Sequence, residues 1–382
     1  MAVVHDAPDP AINGSPSRPP LQPTGILDGI HHVDLTPVIG REFPTARLAD
    51  WIHAPNADEL LKELAYIISS RGVVFFRSQD NLTNEMQKRL MQRLGELSGK
   101  PADSTLHIHP VLNTSSNVAQ DRDPDQEIST ISSSLIRQLG SYRSAESGLS
   151  GKKQTSTGSW HSDIGYEVVP ADYTSLRLTQ LPTTGGDTLW ASGYEIYDRI
   201  SPPYQKFLEG LTATFGRPDF LAAVQSHGYE LYSQPRGSPQ NVGGALTAVH
   251  PVVRTNPVTG WRSVYPVGQN ARFINGVTAE ESESLLQWFK ALLIHNHDVQ
   301  VRFRWQNVND VAIWDNRCTF HTATYDFDGL GERSGNRAVG IGEEPYFDPA
   351  SQSRREALAG QAIGSPFKDG QDPGGLGMRV GV

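Results

Sequence analysis

The stretch VAIWDNRCTFHTATYDF, residues 311–327, opens on four apolar residues, Val311 to Trp314, and then carries a histidine, His321. The apolar run reads as a short buried strand with His321 just beyond it. Further short β-like runs lie at 175–179, 187–191, 263–267 and 299–304, separated by Pro and Gly. Two stretches with helical spacing interrupt them, at 193–211 and 278–294. Nearer the N-terminus, Leu60, Leu61, Leu64, Ile67 and Ile68 share one helix face, and Gly72 stands where a helix C-terminal glycine belongs. Val73 to Phe76 follows as a buried strand, and Thr83 can cap a second helix carrying Met86, Leu90, Leu94 and Leu97. Many short strands with long insertions predict a mainly β protein with peripheral helices, built on a β-sandwich or jelly roll.

Histidine is scarce, with 12 in 382 residues, so its placement is informative. Trp160-His161-Ser162-Asp163 sets a His and an Asp two apart, which on a strand puts both side chains on one face. An H-x-D pair alone is more readily a surface pair, and His321 alone reads as a satisfied buried histidine. Two imidazoles and one carboxylate on one side of a jelly roll, however, make the facial triad of non-heme iron(II) sites, which leaves positions open for other ligands. Gly185-Gly186-Asp187-Thr188-Leu189-Trp190 follows the pair, and Arg333 and Arg337 follow His321. An arginine can neutralise the far carboxylate of an iron-chelating dicarboxylate, and a threonine hydroxyl can add a bond. On a common strand the two arginines, four apart, would point the same way.

Other histidines and tryptophans have simpler readings. His250 is expected to be structural, and His295 and His297 to sit at a helix C-terminus, where the dipole favours cations. Nothing specifies His227. Trp160 and Trp314 are expected to pack beside the ligands, and Cys318 is not needed for the triad.

Composition excludes several classes. Net charge is −9 with no basic stripe, which argues against nucleic acid as a partner. No run of about 18 apolar residues predicts a membrane span, and the N-terminus lacks a secretory pattern. The single cysteine forbids an intramolecular disulfide and fits a reducing, cytoplasmic setting. Residues 1–25, rich in Pro, Ser, Gly and Asp, are expected to form a disordered or extended arm. Residues 26–349 form one domain in this reading, with a polar lid-like insertion at about 113–158. Residues 350–382 are expected to be loosely ordered or docked on a partner subunit, in a homo-oligomer.

Several motifs in order, GVVFFRSQ, LHIHPV, WHSDIGYEVVP, LPTTGGDTLWAS, HPVVRTNPVTGWRSVYP, VAIWDNRCTFH and NRAVGIGEEPYF, resemble the taurine/2-oxoglutarate dioxygenase (TauD/TfdA) family from about Gly72 to Phe347. The resemblance implies a double-stranded β-helix core, iron(II), 2-oxoglutarate as cosubstrate and O2. By motif it implies His161, Asp163 and His321 as iron ligands, and Thr188 and Arg333 as the pair holding the distal carboxylate of 2-oxoglutarate. In sulfonate-acting members a His of H-x-H-P and a second Arg hold the sulfonate. The matching positions are His109 and Arg337, and Ile164 is placed with them on the substrate side.

The chain departs from the taurine enzymes in two places. The segment between His109 and His161 is longer, and Thr157-Gly158-Ser159 precedes Trp160 where the bacterial enzymes have an Asn-containing run. The leading reading is a dioxygenase that hydroxylates a small anionic substrate, a sulfonate or sulfate ester, with release of succinate and CO2; the alternatives are the same chemistry on a carboxylate-bearing secondary metabolite or amino-acid derivative, and a non-catalytic metal-binding jelly roll.

Overall fold

The structure is a computed structural model that describes residues 18–111, 125–134, 159–227 and 231–364. The expected arm up to residue 17, most of the lid-like stretch and the tail beyond 364 lie outside them.

The chain begins with β1 (Val33–Asp34) and β2 (Arg41–Phe43), then the helices α1 (Leu48–His53) and α2 (Ala57–Arg71). Helix α2 buries Leu61, Leu64, Ile67 and Ile68 and ends at Gly72, whose φ of +75° suits a residue without Cβ. Strand β3 (Val73–Phe76) is wholly buried. In α3 (Asn84–Ser98), the Thr83 hydroxyl accepts from the Met86 N–H, the cap expected of it. Then come β4 (Ile128–Ser132), β5 (Ala171–Gln180) and β6 (Thr188–Ser192).

The stretch expected as one helix over 193–211 is two, α4 (Gly193–Arg199) and α5 (Pro202–Leu208). Pro202 forces the break, since it donates no hydrogen bond and keeps the residue before it out of the helical region. After β7 (Thr212–Gly216) and α6 (Pro218–His227) come β8 (Thr247–Pro251), β9 (Val253–Thr255), β10 (Arg262–Val264) and β11 (Ala271–Ile274). Helix α7 (Ala279–His295) opens with a full capping box between Thr278 and Glu281. The chain closes with β12 (Gln300–Phe303), β13 (Val311–Asp315), β14 (Thr319–Ala323), β15 (Ser334–Ile341) and α8 (Arg354–Gly364).

Seven strands form one sheet in the order β1-β2-β3-β13-β5-β15-β4. Alternation on its central strands decides what each face meets. Val74, Phe76, Val311 and Ile313 join the core with the helices α1 to α3. Val73, Phe75, Ala312 and Trp314 face the three-stranded sheet β12-β6-β14, packing with Trp190, Val301 and Phe303. Phe75 stacks on Phe303 at 4.0 Å and meets Trp190 edge-on at 5.3 Å. Strands β13 and β14 lie in these two facing sheets, and the turn between them brings His321 to the inner layer. A further sheet, β11-β7-β8, packs with α7.

His321 lies past the end of β13, as expected, and stands in the middle of the next strand, β14, paired with Trp190. One expectation needs correction. The segment 160–163 is not a strand: His161 makes a single bridge to His321, and Asp163 lies in a turn. Within the expected tail, Arg354–Gly364 form α8, and Arg354 pairs with Glu195 of α4 at 2.9 Å. Among the described residues no helix is long and apolar enough to cross a membrane.

Candidate metal and cosubstrate site

The bridge between the His161 and His321 backbones (3.1 and 2.8 Å) brings two imidazoles into contact, with ring centroids 4.2 Å apart. The turn that follows His161 swings Asp163 toward both. Its Oδ1 lies 3.7 Å from His161 Nε2 and 3.9 Å from His321 Nε2, and one donor atom from each residue lies within 4.8 Å of the others. Two donors each about 2.1 Å from a common ion can be at most about 4.2 Å apart, so both of these spacings admit one ion.

Protonation also favours a cation. His161 Nδ1 donates to Ser159 O at 2.8 Å, leaving the Nε2 lone pair toward the centre. Burial, then the neighbouring His321, holds His161 down at about 3. Burial also lowers His321, against the pull of Asp163. Burial alone would raise the Asp163 carboxyl, but Arg337 and the two imidazoles outweigh it and hold it at about 2. At neutral pH the centre is therefore two neutral imidazoles and a carboxylate. Among the described residues Asp163 Oδ2 is buried with no partner at full hydrogen-bond distance, which is costly unless something binds there. The donor set fits a divalent metal such as iron(II).

Beside this centre a cavity of about 90 Å³ is walled by His161, His321, Thr188, Arg333 and Arg337, with Ile131, Leu176 and Trp314 as apolar lining. Arg333 is buried at 6% exposure. Its Nε donates to Gly186 O at 2.7 Å and its Nη2 to Thr188 Oγ1 at 3.2 Å. Gly186 is required there, because its φ is +69° and a Cβ would come within 2.8 Å of Arg333 Cδ. Trp305 Nε1 donates to the same hydroxyl at 3.1 Å. Among the described residues no carboxylate pairs with Arg333, and Asp187 is engaged by Arg302 instead. Burial lowers the guanidinium to about 10, so it is still a cation at pH 7. A buried cation with no anion, beside a metal-sized centre, suits a carboxylate ligand.

The two arginines do not share one regular strand. Arg333 precedes β15, and the register slips between Ser334 and Gly335. Both nevertheless reach the same cavity. Arg337 donates to Asp163 Oδ1 at 2.9 Å. His109 does not line the cavity: it is 6% exposed, its Nδ1 accepts from the Val111 N–H at 3.1 Å, and its ring lies 5.2 Å from Phe220. Ile164 packs in the same apolar cluster as Val111 and Phe220, with φ at +60°. His250 is structural, its Nε2 bonding Gly165 O at 3.0 Å. Trp314 lies 4.8 Å from the His321 ring, and Cys318 is buried away from the donors.

Sequence reasoning missed Trp305, Asn270 and Asn316. Trp305 and Asn316 lie in WQNVNDVAIWDNR, close to the strand that opened the reading. Their partners are distant in sequence, so spacing carries no signal of what they hold.

The Taurine catabolism dioxygenase TauD, TfdA family matches residues 31–339. Alpha-ketoglutarate-dependent dioxygenase btcD of Neocamarosporium betae is 53% identical over 348 residues, covering 89% of this chain and 98% of its own length. The alpha-ketoglutarate-dependent sulfonate dioxygenase of Saccharomyces cerevisiae is 30% identical, over 82% of this chain and 67% of its own. A taurine dioxygenase structure from Burkholderia xenovorans superposes with a TM-score of 0.60 at 25% identity, covering 84% of this chain and 94% of that one. The chain belongs to the TauD/TfdA family and is a 2-oxoglutarate-dependent dioxygenase that uses iron(II) and O2.

Proposed function

We propose that His161, Asp163 and His321 hold the iron, that Thr188 and Arg333 hold the distal carboxylate of 2-oxoglutarate, and that the substrate is a small carboxylate-bearing organic molecule. Residues 26–349 are read as one oxygenase domain, whose facing sheets correspond to a double-stranded β-helix. The bound metal supplies the oxidative decarboxylation of 2-oxoglutarate that drives substrate oxidation. The protein does the rest. The bridge between His161 and His321 fixes the two imidazoles, and the Ser159 carbonyl fixes the His161 tautomer. Arg333 and the Thr188 hydroxyl orient the dicarboxylate, while Trp314, Leu176 and Ile131 keep water from that wall.

The observation that carries the cosubstrate assignment is the buried Arg333 guanidinium, bonded to Gly186 and Thr188 and lacking a carboxylate partner among the described residues. The substrate reading rests on Arg337, which stands at the cavity wall on Asp163 and can pair with one carboxylate. The 53% relative's name specifies no substrate, and the sulfonate dioxygenase is a 30% relative. The second reading, a sulfonate or sulfate ester, is favoured by the presence of both His109 and Arg337 in their motifs. A succinate-release assay over carboxylates, sulfonates and sulfate esters separates them. Turnover of carboxylates is expected, and turnover confined to sulfonates or sulfate esters overturns the first reading.

A further inference from the structure

The Ser162–Asp163 peptide unit is gripped at both polar ends. Its carbonyl accepts from Asn270 Nδ2 at 2.8 Å, and its N–H donates to Asn316 Oδ1 at 3.0 Å. The two asparagines reach it from different parts of the fold, Asn270 from the loop before β11 and Asn316 from the β13–β14 turn. They are 2% and 1% exposed.

Each is itself fixed. Asn270 Oδ1 accepts from Arg217 Nη1 at 3.4 Å. Asn316 Oδ1 also accepts from Trp314 Nε1 at 3.0 Å, and its Nδ2 donates to Asp172 O and Thr174 Oγ1 at 3.1 and 2.8 Å. The peptide they hold belongs to a turn with an unfavourable backbone. Ile164, β-branched, is at φ +60°, where such side chains rarely go. A free turn of this sequence would relax and carry Asp163 with it. The same loop presses from a third side: Gln269 N–H donates to Trp160 O at 3.0 Å, and a Cβ on Gly268 would collide with that carbonyl.

We propose that Asn270 and Asn316 are positioning residues for the metal-binding carboxylate, pinning the Ser162–Asp163 peptide so that Asp163 faces His161 and His321. This rests on the reading of those three residues as the iron ligands. Groups that orient metal ligands from behind are worth about 10- to 100-fold in metal affinity.

The test compares two isosteric changes. Asn270→Asp keeps an acceptor for Arg217 but loses the donor to Ser162 O. Asn241→Asp loses an equally short buried bond, Asn241 Nδ2 to Val169 O at 2.8 Å, on a residue 1% exposed. Anaerobic iron(II) titration of each folded apoprotein gives the affinity, and the melting temperature reports the fold. Both variants should melt lower, but only Asn270→Asp should bind iron about 10- to 100-fold more weakly. If Asn270→Asp does not fold, Asn270→Ala, which introduces no charge, carries the same expectation. Iron affinity within twofold of wild type at position 270, or an equal loss in Asn241→Asp, overturns the proposal. Asp163→Ala in the same titration tells the two readings apart. If it still binds iron, the ligand assignment has failed; if it loses iron while the Asn270 variant keeps it, only the positioning role has.

Discussion

Replacing Arg333 with glutamine separates the cosubstrate site from the metal. Glutamine retains much of the bulk and a donor for Gly186 O or Thr188 Oγ1, but not the charge. In the wild type, Nε and one Nη2 hydrogen serve those two acceptors at 2.7 and 3.2 Å. The remaining hydrogens of the fork are left for a ligand carboxylate. A hydrogen bond to a charged group contributes about 1.5–3 kcal/mol, and each 1.4 kcal/mol is about tenfold in affinity. The 2-oxoglutarate dissociation constant should therefore rise about 10- to 100-fold. Iron affinity should not change, because Arg333 touches none of the three donors. The ligand-free protein should lose little thermal stability, because the guanidinium it gives up is desolvated, held down to about 10 and has no carboxylate partner among the described residues. The assay is anaerobic titration of the iron-loaded variant with 2-oxoglutarate, followed by the visible absorbance of the chelate and checked against steady-state dependence on 2-oxoglutarate. An unchanged dissociation constant would refute the anchor assignment and move it to Arg337.

Three other outcomes are expected. Trp305→Phe removes the indole donor to Thr188 Oγ1, a neutral bond of about 0.5–1.5 kcal/mol; steady-state titration should show a two- to tenfold rise in the KM for 2-oxoglutarate, and a primary-substrate effect alone would contradict it. Arg337→Ala should raise the KM of the best substrate from the panel more than that of 2-oxoglutarate, and the reverse order would sink the substrate role of Arg337. Burial, then Arg254, holds His250 at about 3, so between about pH 6.5 and 3 the unfolded chain binds a proton that the folded chain refuses. Stability of the apoprotein should fall as pH drops through that window, and His250→Gln should flatten the slope by up to about 1.4 kcal/mol per pH unit. Identical slopes in urea unfolding at pH 5 to 6.5 would show that His250 is not held neutral.

Much of this arrangement was legible in the chain because it is local. VVFF and VAIW are short, wholly apolar and bounded by Gly or polar residues, and they are the central strands β3 and β13. Thr83 and Gly72 bracket helices by rules that need only neighbours. Strand β14 was not legible, because TFHTA is half polar and its burial comes from pairing with β6. Strands β7 and β11 were missed for the same reason, their apolar content being completed by α7. The three residues proposed as iron ligands could be singled out because H-x-D and a later His are themselves the signal, and the structure brings them together. The 160–163 segment nevertheless achieves its common facing through a held turn and not a strand's alternation. Arg337 was singled out too, but its contact with Asp163, 174 positions away, depends on the β15 register and a bulge.

The most direct test of the central claim is anaerobic iron(II) binding, with and without 2-oxoglutarate, to wild type and to Asp163→Ala. Asp163 is the only carboxylate in the three-residue centre. The account predicts one iron per wild-type chain and a visible chelate band on adding 2-oxoglutarate, with both lost in a variant whose melting temperature shows it folded. Stoichiometric iron and an undiminished band in Asp163→Ala would contradict it.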